Sequence, residues 1–275
     1  MTNATELYLE LLKKSLTFYL WGESLVPVDL EEIIPLKNRW LIEKISHIVK
    51  NRGVIISKKF DYNPKEREYG VDWPPQADTM IGLKRLDNLQ MCIESVIHED
   101  VHGDLIETGV WRGGGSIFMR GVLKAYDVVD RKVYAADSFM GLPPPDPEKY
   151  PEDKGDLHHQ IDYLRVSLEE VKANFKKYNL LDDQVVFLKG WFKETLPRAP
   201  IDHLAVVRLD GDMYESTMDA LACLYPKLSI GGYLIVDDYV LDNCRAAVHD
   251  FRKFNRITEA IQDIDGTGAY WRREQ

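Results

Sequence analysis

The sequence predicts an α/β fold, a mainly parallel sheet with helices on both faces. Three observations carry this. From Gly103 onward, short apolar runs alternate with helix-spaced segments five times, which is the pattern of βα repeats. These runs end on acidic residues or glycines, at Glu107, Asp137, Gly190, Asp210 and Asp237. The last stretches, Thr258–Ile264 and Ala269–Arg273, flank Asp265-Gly-Thr-Gly268, a hairpin signal that adds an antiparallel pair at one edge.

The elements follow in order. Residues 4–20 place Leu7, Leu11, Leu12, Leu16 and Tyr19 at helical spacing, so an amphipathic helix is expected. Pro35 opens a second helical stretch to Lys50, with Trp40, Leu41, Ile45, Ile48 and Val49 on one side. Val54–Phe60 is strand-like, and a polar, proline-bearing loop follows. Asp78 is placed to cap a helix over Thr79–Ile97. Strands are then expected at His102–Glu107, Lys132–Ala136, Val185–Leu188, Leu204–Leu209 and Tyr233–Val236. Helices are expected at Gly114–Tyr126, Tyr214–Leu224 and Cys244–Phe254. Ser167 and Glu170 have capping-box spacing at the head of another, ending near Tyr178. The long irregular segment 141–160, with four prolines between 143 and 147, is expected to be a lid over the strand ends, a mobile surface loop being the alternative.

Composition limits the partners. The 275 residues carry 35 Lys+Arg against 45 Asp+Glu, a net charge of −10, and no basic run that would meet nucleic-acid phosphates. Glu6 and Glu10 precede any apolar stretch, so neither a leader nor a membrane span is expected. Cys92, Cys223 and Cys244 form no C-x-x-C pair, which agrees with packing thiols in a reducing cytoplasm.

In open α/β sheets, ligands bind beyond the carboxyl ends of the strands. Two groups of residues converge there. The first is the turn Glu107-Thr108-Gly109-Val110-Trp111-Arg112-Gly113-Gly114-Gly115-Ser116, whose glycines permit tight turning and close ligand approach. It matches neither G-x-G-x-x-G nor a P-loop. Asp137, at the end of the next strand, suits a ribose diol, which together with the turn indicates a nucleoside site. Gly190-Trp191-Phe192 offers aromatics that suit an adenine, core packing being the alternative.

The second group is Asp210, Asp212 and Glu215 with Asp237 and Asp238, at the ends of the fourth and fifth strands. So many like charges are unfavourable together unless a cation neutralises them. All-oxygen donors favour Mg²⁺, with Ca²⁺ or Mn²⁺ open, over Zn²⁺. Helix capping by these aspartates is the competing reading. Tyr239 is placed to line the pocket, and His158 and His159, in the lid segment, to touch substrate or to lie in solvent.

Seven ordered motifs resemble the macrocin O-methyltransferase family. They include Tyr8–Leu16, Thr79–Leu86, Glu107–Gly114, Asp137–Pro143, Gly190–Phe192, Asp210–Ser216 and Gly231–Tyr239, across nearly the whole chain. The resemblance implies a Rossmann-like class I methyltransferase fold and an S-adenosylmethionine- and Mg²⁺-dependent enzyme that methylates a sugar hydroxyl of a glycosylated natural product. It implies a helical extension over 1–100 that shapes the acceptor pocket, and a methyltransferase domain over 101–275. Thr79 and Met80 would reach the cofactor, and Glu107, Thr108, Gly109, Val110, Gly113, Gly114 and Ser116 its methionine part. Asp137 and Ser138 would hold the ribose, and Gly190, Trp191 and Phe192 the adenine, beside Asp210. Asp210, Asp237 and Asp238 would bind Mg²⁺, with Asp212 as general base and Asp210 as the second candidate. The alternatives are a nucleotide-dependent oxidoreductase, for which the dinucleotide glycine pattern is missing, and a non-catalytic sugar-binding module. The amphipathic N-terminal helices suggest a homo-oligomer, a dimer or tetramer.

Overall fold

A computed structural model describes residues 3–28 and 39–275. Helix α1 (Ala4–Leu16) starts where the Asn3 side chain accepts the Glu6 amide at 2.8 Å. It buries Leu9, Leu12 and Leu16 and leaves Leu7 and Leu11 outside. The helix stops short of residue 20, because Phe18 turns left-handed at φ 60° and a single 3₁₀ turn follows. Strand β1 (Ser24–Pro27) pairs antiparallel with β2 (Ser57–Phe60), a ribbon whose first strand has no alternating pattern to announce it. Between them α2 spans Arg39–Asn51, and its expected opening at Pro35 lies outside the described residues.

The segment expected to be a polar loop contains a short helix, α3 (Pro64–Tyr69). Asn63 caps it, Pro64 opens it and Gly70 closes it. Helix α4 begins at Leu83 rather than Thr79 and runs to His98. Asp78 does not cap it, since its carboxylate accepts the Tyr178 hydroxyl at 2.7 Å, 100 residues away. Residues 79–82 are therefore left non-helical beside the site.

The parallel strands are β3 (Asp104–Thr108), β4 (Val133–Asp137), β5 (Val185–Lys189), β6 (Leu204–Leu209) and β7 (Leu228–Val236). The sheet order is β5-β4-β3-β6-β7, completed by β9 (Ala269–Arg272), antiparallel to β7, and β8 (Gln262–Asp263). The chain leaves β3 toward one side and crosses to β6 on the other, so the switch point lies between these two strands. β6 is buried along its full length, as expected of a strand covered on both faces. β7 starts five residues before the expected Tyr233, after a register shift against β6. The strand expected from Thr258 is only two residues long, because Asp265 folds the approach into a turn, accepting the amides of Thr267 and Gly268 at 3.0 Å each.

Helices α5 (Gly114–Ala125) and α6 (Leu168–Lys177) cover one face with α1 and α4, in a core that includes Leu9, Leu86, Ile117 and Phe175. The four-residue α7 (Phe192–Thr195) follows β5. Helices α8 (Tyr214–Leu224) and α9 (Asp242–Asn255) cover the other face over Leu221, Val248 and Trp271. No helix among the described residues is long and apolar enough to cross a membrane.

Candidate active site

Strand ends build the site. At the end of β3, Gly109 takes φ 81°, and a Cβ there would stand 1.7 Å from the Asp210 carbonyl oxygen. The Asp210 amide in turn donates to the Thr108 carbonyl at 2.8 Å. The turns after β3 and β6 are thus in backbone contact. Asp137, at the end of β4, accepts the Val110 amide at 2.8 Å with one oxygen and the Phe139 amide at 2.7 Å with the other. Burial nevertheless raises its pKa. Ser138 donates to the Gly141 carbonyl at 2.6 Å and fixes the start of the lid.

A cavity of about 320 Å³ opens over these ends, within the range of small-molecule sites. Of the residues expected at the cofactor, Met80, Gly109, Asp137, Ser138, Gly190, Trp191, Phe192 and Asp210 line it, and so does Asp212. Thr79, Glu107, Thr108, Val110, Gly113, Gly114 and Ser116 stand behind the lining. Glu107 is 2% exposed and packs against α5, where a Cβ on Gly115 would lie 2.1 Å from its Oε1. That oxygen accepts Arg208 Nη1 at 2.7 Å, and the Ser116 hydroxyl donates to the other. Burial lifts the Glu107 pKa to about 7 against the opposing charge of Arg208. Trp111 and Glu215, from the two groups expected at the strand ends, also line the cavity, and Leu164 lines it without having been expected there. Tyr239 does not line it, because its hydroxyl pairs with His249 Nε2 at 3.0 Å on the surface.

The acidic residues converge as the sequence suggests. Asp210, Asp237 and Asp238 each offer a carboxylate oxygen, all within 4.8 Å of one another. Asp212 adopts φ 56°, and its amide donates to Asp238 Oδ2 at 3.1 Å. Burial and then the Asp237 charge push the Asp210 pKa up to about 6. Burial and Asp210 push that of Asp212 to about 7, and burial with the Asp212, Asp210 and Asp237 charges raises Asp238 well above the ordinary value. Two guanidiniums oppose this charge: Arg208 pairs with Asp210 at 2.9 Å and Asp237 at 2.5 Å, and Arg85 with Asp237 at 2.5 Å. Three carboxylates converging as an all-oxygen donor set fit a hard divalent cation such as Mg²⁺.

The segment 141–160, whose Gly141, Leu142, Pro143, Pro144 and Asp146 line the cavity, is held by its own side chains. Asp153, 1% exposed, accepts the Tyr214 and Glu215 amides at 2.7 and 3.0 Å, the free donors at the start of α8, and Asn243 Nδ2 at 3.1 Å. His158 Nδ1 is 2.7 Å from Asp156 Oδ2. Burial disfavours its cation, but the Asp156 hydrogen bond and the Asp212 charge outweigh that and raise its pKa. Arg85, Arg208 and Asp153 were given no role by the sequence motifs. Apart from Asp210, two residues after Arg208, their partners lie far along the chain or across strands, where local spacing carries no signal.

Comparison with known proteins places this geometry. The profile of the macrocin O-methyltransferase (TylF) family matches residues 5–273. The chain is 48% identical over 271 residues to the 8-demethyl-8-(2,3-dimethoxy-alpha-L-rhamnosyl)-tetracenomycin-C 4'-O-methyltransferase of Streptomyces olivaceus, covering 98% of this chain and 94% of that one. It is 45% identical to the mycinamicin III 3''-O-methyltransferase of Micromonospora griseorubida, covering 99% and 98%. Among solved structures, the O-methyltransferase NovP superposes with a TM-score of 0.83 at 46% identity, over 98% of this chain and 100% of that one. A likeness over nearly every residue, in sequence and in fold, means that the chain belongs to the macrocin O-methyltransferase family and is an O-methyltransferase.

Proposed function

We propose that the protein transfers a methyl group from S-adenosylmethionine to a sugar hydroxyl of a glycosylated natural product, with Mg²⁺ at the acidic cluster. The convergence of Asp210, Asp237 and Asp238 beside the cavity that Asp137 and Trp191 line carries this reading. An oxidoreductase would leave that cluster without a task. The names of the relatives, acting on rhamnosyl-tetracenomycin and mycinamicin, support a glycoside acceptor.

The residues divide the work. Asp137 and Ser138 hold the ribose, and Trp191 and Phe192 flank the adenine, an offset-stacking surface. The turn after β3 takes the methionine part, with Met80 closing the cavity from the N-terminal side. S-adenosylmethionine, when bound, supplies an electrophilic methyl group. Asp210, Asp237 and Asp238 would hold Mg²⁺, which would supply Lewis-acid activation of a sugar hydroxyl. Asp212 takes the hydroxyl proton as general base, lining the cavity two residues beyond Asp210. The lid, held down by Asp153, keeps water from the reacting groups. Residues 1–100 shape the acceptor side and 101–275 carry the donor side, in a reducing cytoplasm. Leu7 and Leu11, 58% and 57% exposed, leave an apolar face on α1 that supports assembly with a second copy.

Calorimetric titration with S-adenosylmethionine, S-adenosylhomocysteine and NAD tests the donor. Saturable binding of the first two and none of NAD is expected, and the reverse would refute the reading. Label transfer from the methyl donor to a panel of glycosides identifies the acceptor.

A further inference from the structure

Both carboxylate oxygens of Asp237 are engaged by arginines. Oδ1 faces Arg208 Nη2 and Oδ2 faces Arg85 Nη1, each at 2.5 Å. Arg208 belongs to β6, the strand that also delivers Asp210. Arg85 does not belong to the sheet. It stands in the first turn of α4, 152 residues before Asp237, and reaches the strand ends from the N-terminal region.

Its far side is anchored too. Arg85 Nε lies 3.1 Å from Asp265 Oδ2, and the Asp265 side chain is fully buried and held by Thr267 and Gly268. Arg85 Nη2 is 3.5 Å from the Tyr69 carbonyl. The guanidinium is thus clamped between the hairpin turn and the end of β7. A planar fork of five donors can serve two carboxylates at once, which a lysine ammonium does poorly. A carboxylate oxygen has more than one lone-pair site, so an oxygen held by arginine still has a face for a cation.

We propose that Arg85 is a positioning residue for the divalent-cation site. It holds the Asp237 carboxylate in register with Asp210 and Asp238, so the N-terminal region completes a site otherwise built by β6 and β7. This rests on the reading of that cluster as a cation site. Arg85 itself touches neither substrate nor cation. Helix α4 follows directly on Thr79 and Met80, so one short stretch of chain sets both the cavity wall and the acidic corner.

Charge and positioning predict opposite effects. By Coulomb's law, removing a positive charge beside the site makes a divalent cation bind more tightly. Removing the partner that orients a ligating carboxylate weakens binding by about 10–100-fold. The sign of the change therefore identifies the role.

The test is Mn²⁺ binding to the full chain, followed by the paramagnetic resonance signal of free Mn²⁺. Wild type, Arg85→Met, Arg85→Lys and Asp265→Asn are compared, with circular dichroism and S-adenosylhomocysteine titration to show that the fold and the donor cavity are intact. We expect Arg85→Met to raise the Mn²⁺ Kd about 10–100-fold, Arg85→Lys to recover part of the loss, and Asp265→Asn to weaken binding in the same direction. Should Arg85→Met not fold, Arg85→Lys, which keeps the charge but loses the planar fork, isolates positioning: a raised Mn²⁺ Kd supports the proposal and an unchanged one overturns it. Unchanged or tighter Mn²⁺ binding in the folded variants overturns the proposal and leaves the cation site standing. A wild-type protein that binds no Mn²⁺ refutes the cation site itself, and the role of Arg85 with it.

Discussion

Gly109 and Asp210 meet backbone to backbone across the switch point, where a Cβ on Gly109 would stand 1.7 Å from the Asp210 carbonyl oxygen. The donor turn and the acidic turn are therefore one mechanical unit. Gly109→Ala must push them apart, and at φ 81° the new side chain is also strained. The expected outcome is a loss of about 100-fold in kcat/KM, the scale of an ångström-sized misplacement, together with weaker S-adenosylhomocysteine binding. Kinetics and calorimetry on the same preparation check both, and a near-normal variant would contradict the coupling.

Asp153 ties the segment 141–160 to the start of α8. Asp153→Ala leaves two amides at the start of α8 without their acceptor, a loss of about 1–2 kcal/mol by analogy with helix caps. For a chain of this size that lowers Tm by about 2–8 °C. Hydrogen exchange should quicken in 141–160 and at Tyr214 and Glu215, with the β3 and β6 amides still protected. Uniform protection in the variant would show that the lid is held by other contacts.

Much of this was legible in the sequence because the signals are local. Five strand ends carry their own acids and glycines, and the β–α alternation puts them on one edge whatever the details of packing. Ser167 capped its helix as its spacing predicted. Other features were decided by long-range partners. Asp78 has the look of a helix cap but bonds Tyr178, and the helix begins later. Glu107 lies in β3 at the head of a motif whose pattern suggests ligand contact, yet its carboxylate pairs with Arg208 and Ser116 and does not line the cavity. The helix Pro64–Tyr69 carries Asn, Pro and Gly at its ends, a readable signal that the surrounding polar residues obscured. The pairing of Arg85 with Asp237 leaves no local trace.

Asp210 and Asp212, at about 6 and about 7, stand above the ordinary carboxylate value of 3.8. Between pH 3.8 and about 7 the folded chain therefore holds protons that the unfolded chain has released, so stability rises as pH falls through that window. His158, also raised, acts in the same direction, its contribution being lost as pH climbs. In EDTA, Tm should be higher at pH 6 than at pH 8. Added Mg²⁺ should raise Tm more at pH 8, where its ligands are already deprotonated. Thermal scans in the four conditions decide it, and a Tm in EDTA that rises from pH 6 to pH 8 would count against the buried cluster.

Asp212→Asn removes the proposed base while keeping the shape. A loss of about 10²–10⁴-fold in kcat is expected, with S-adenosylhomocysteine still bound and Mn²⁺ bound more weakly for want of the Asp212 charge beside Asp238. Retention of most of the rate would move the role to Asp210.

The most direct test of the central claim is methyl transfer from labelled S-adenosylmethionine to a glycosylated acceptor, measured in EDTA and again after Mg²⁺ is restored. The account predicts label on a sugar hydroxyl, no turnover in EDTA, and full recovery on adding Mg²⁺. Undiminished methyl transfer in EDTA would contradict it.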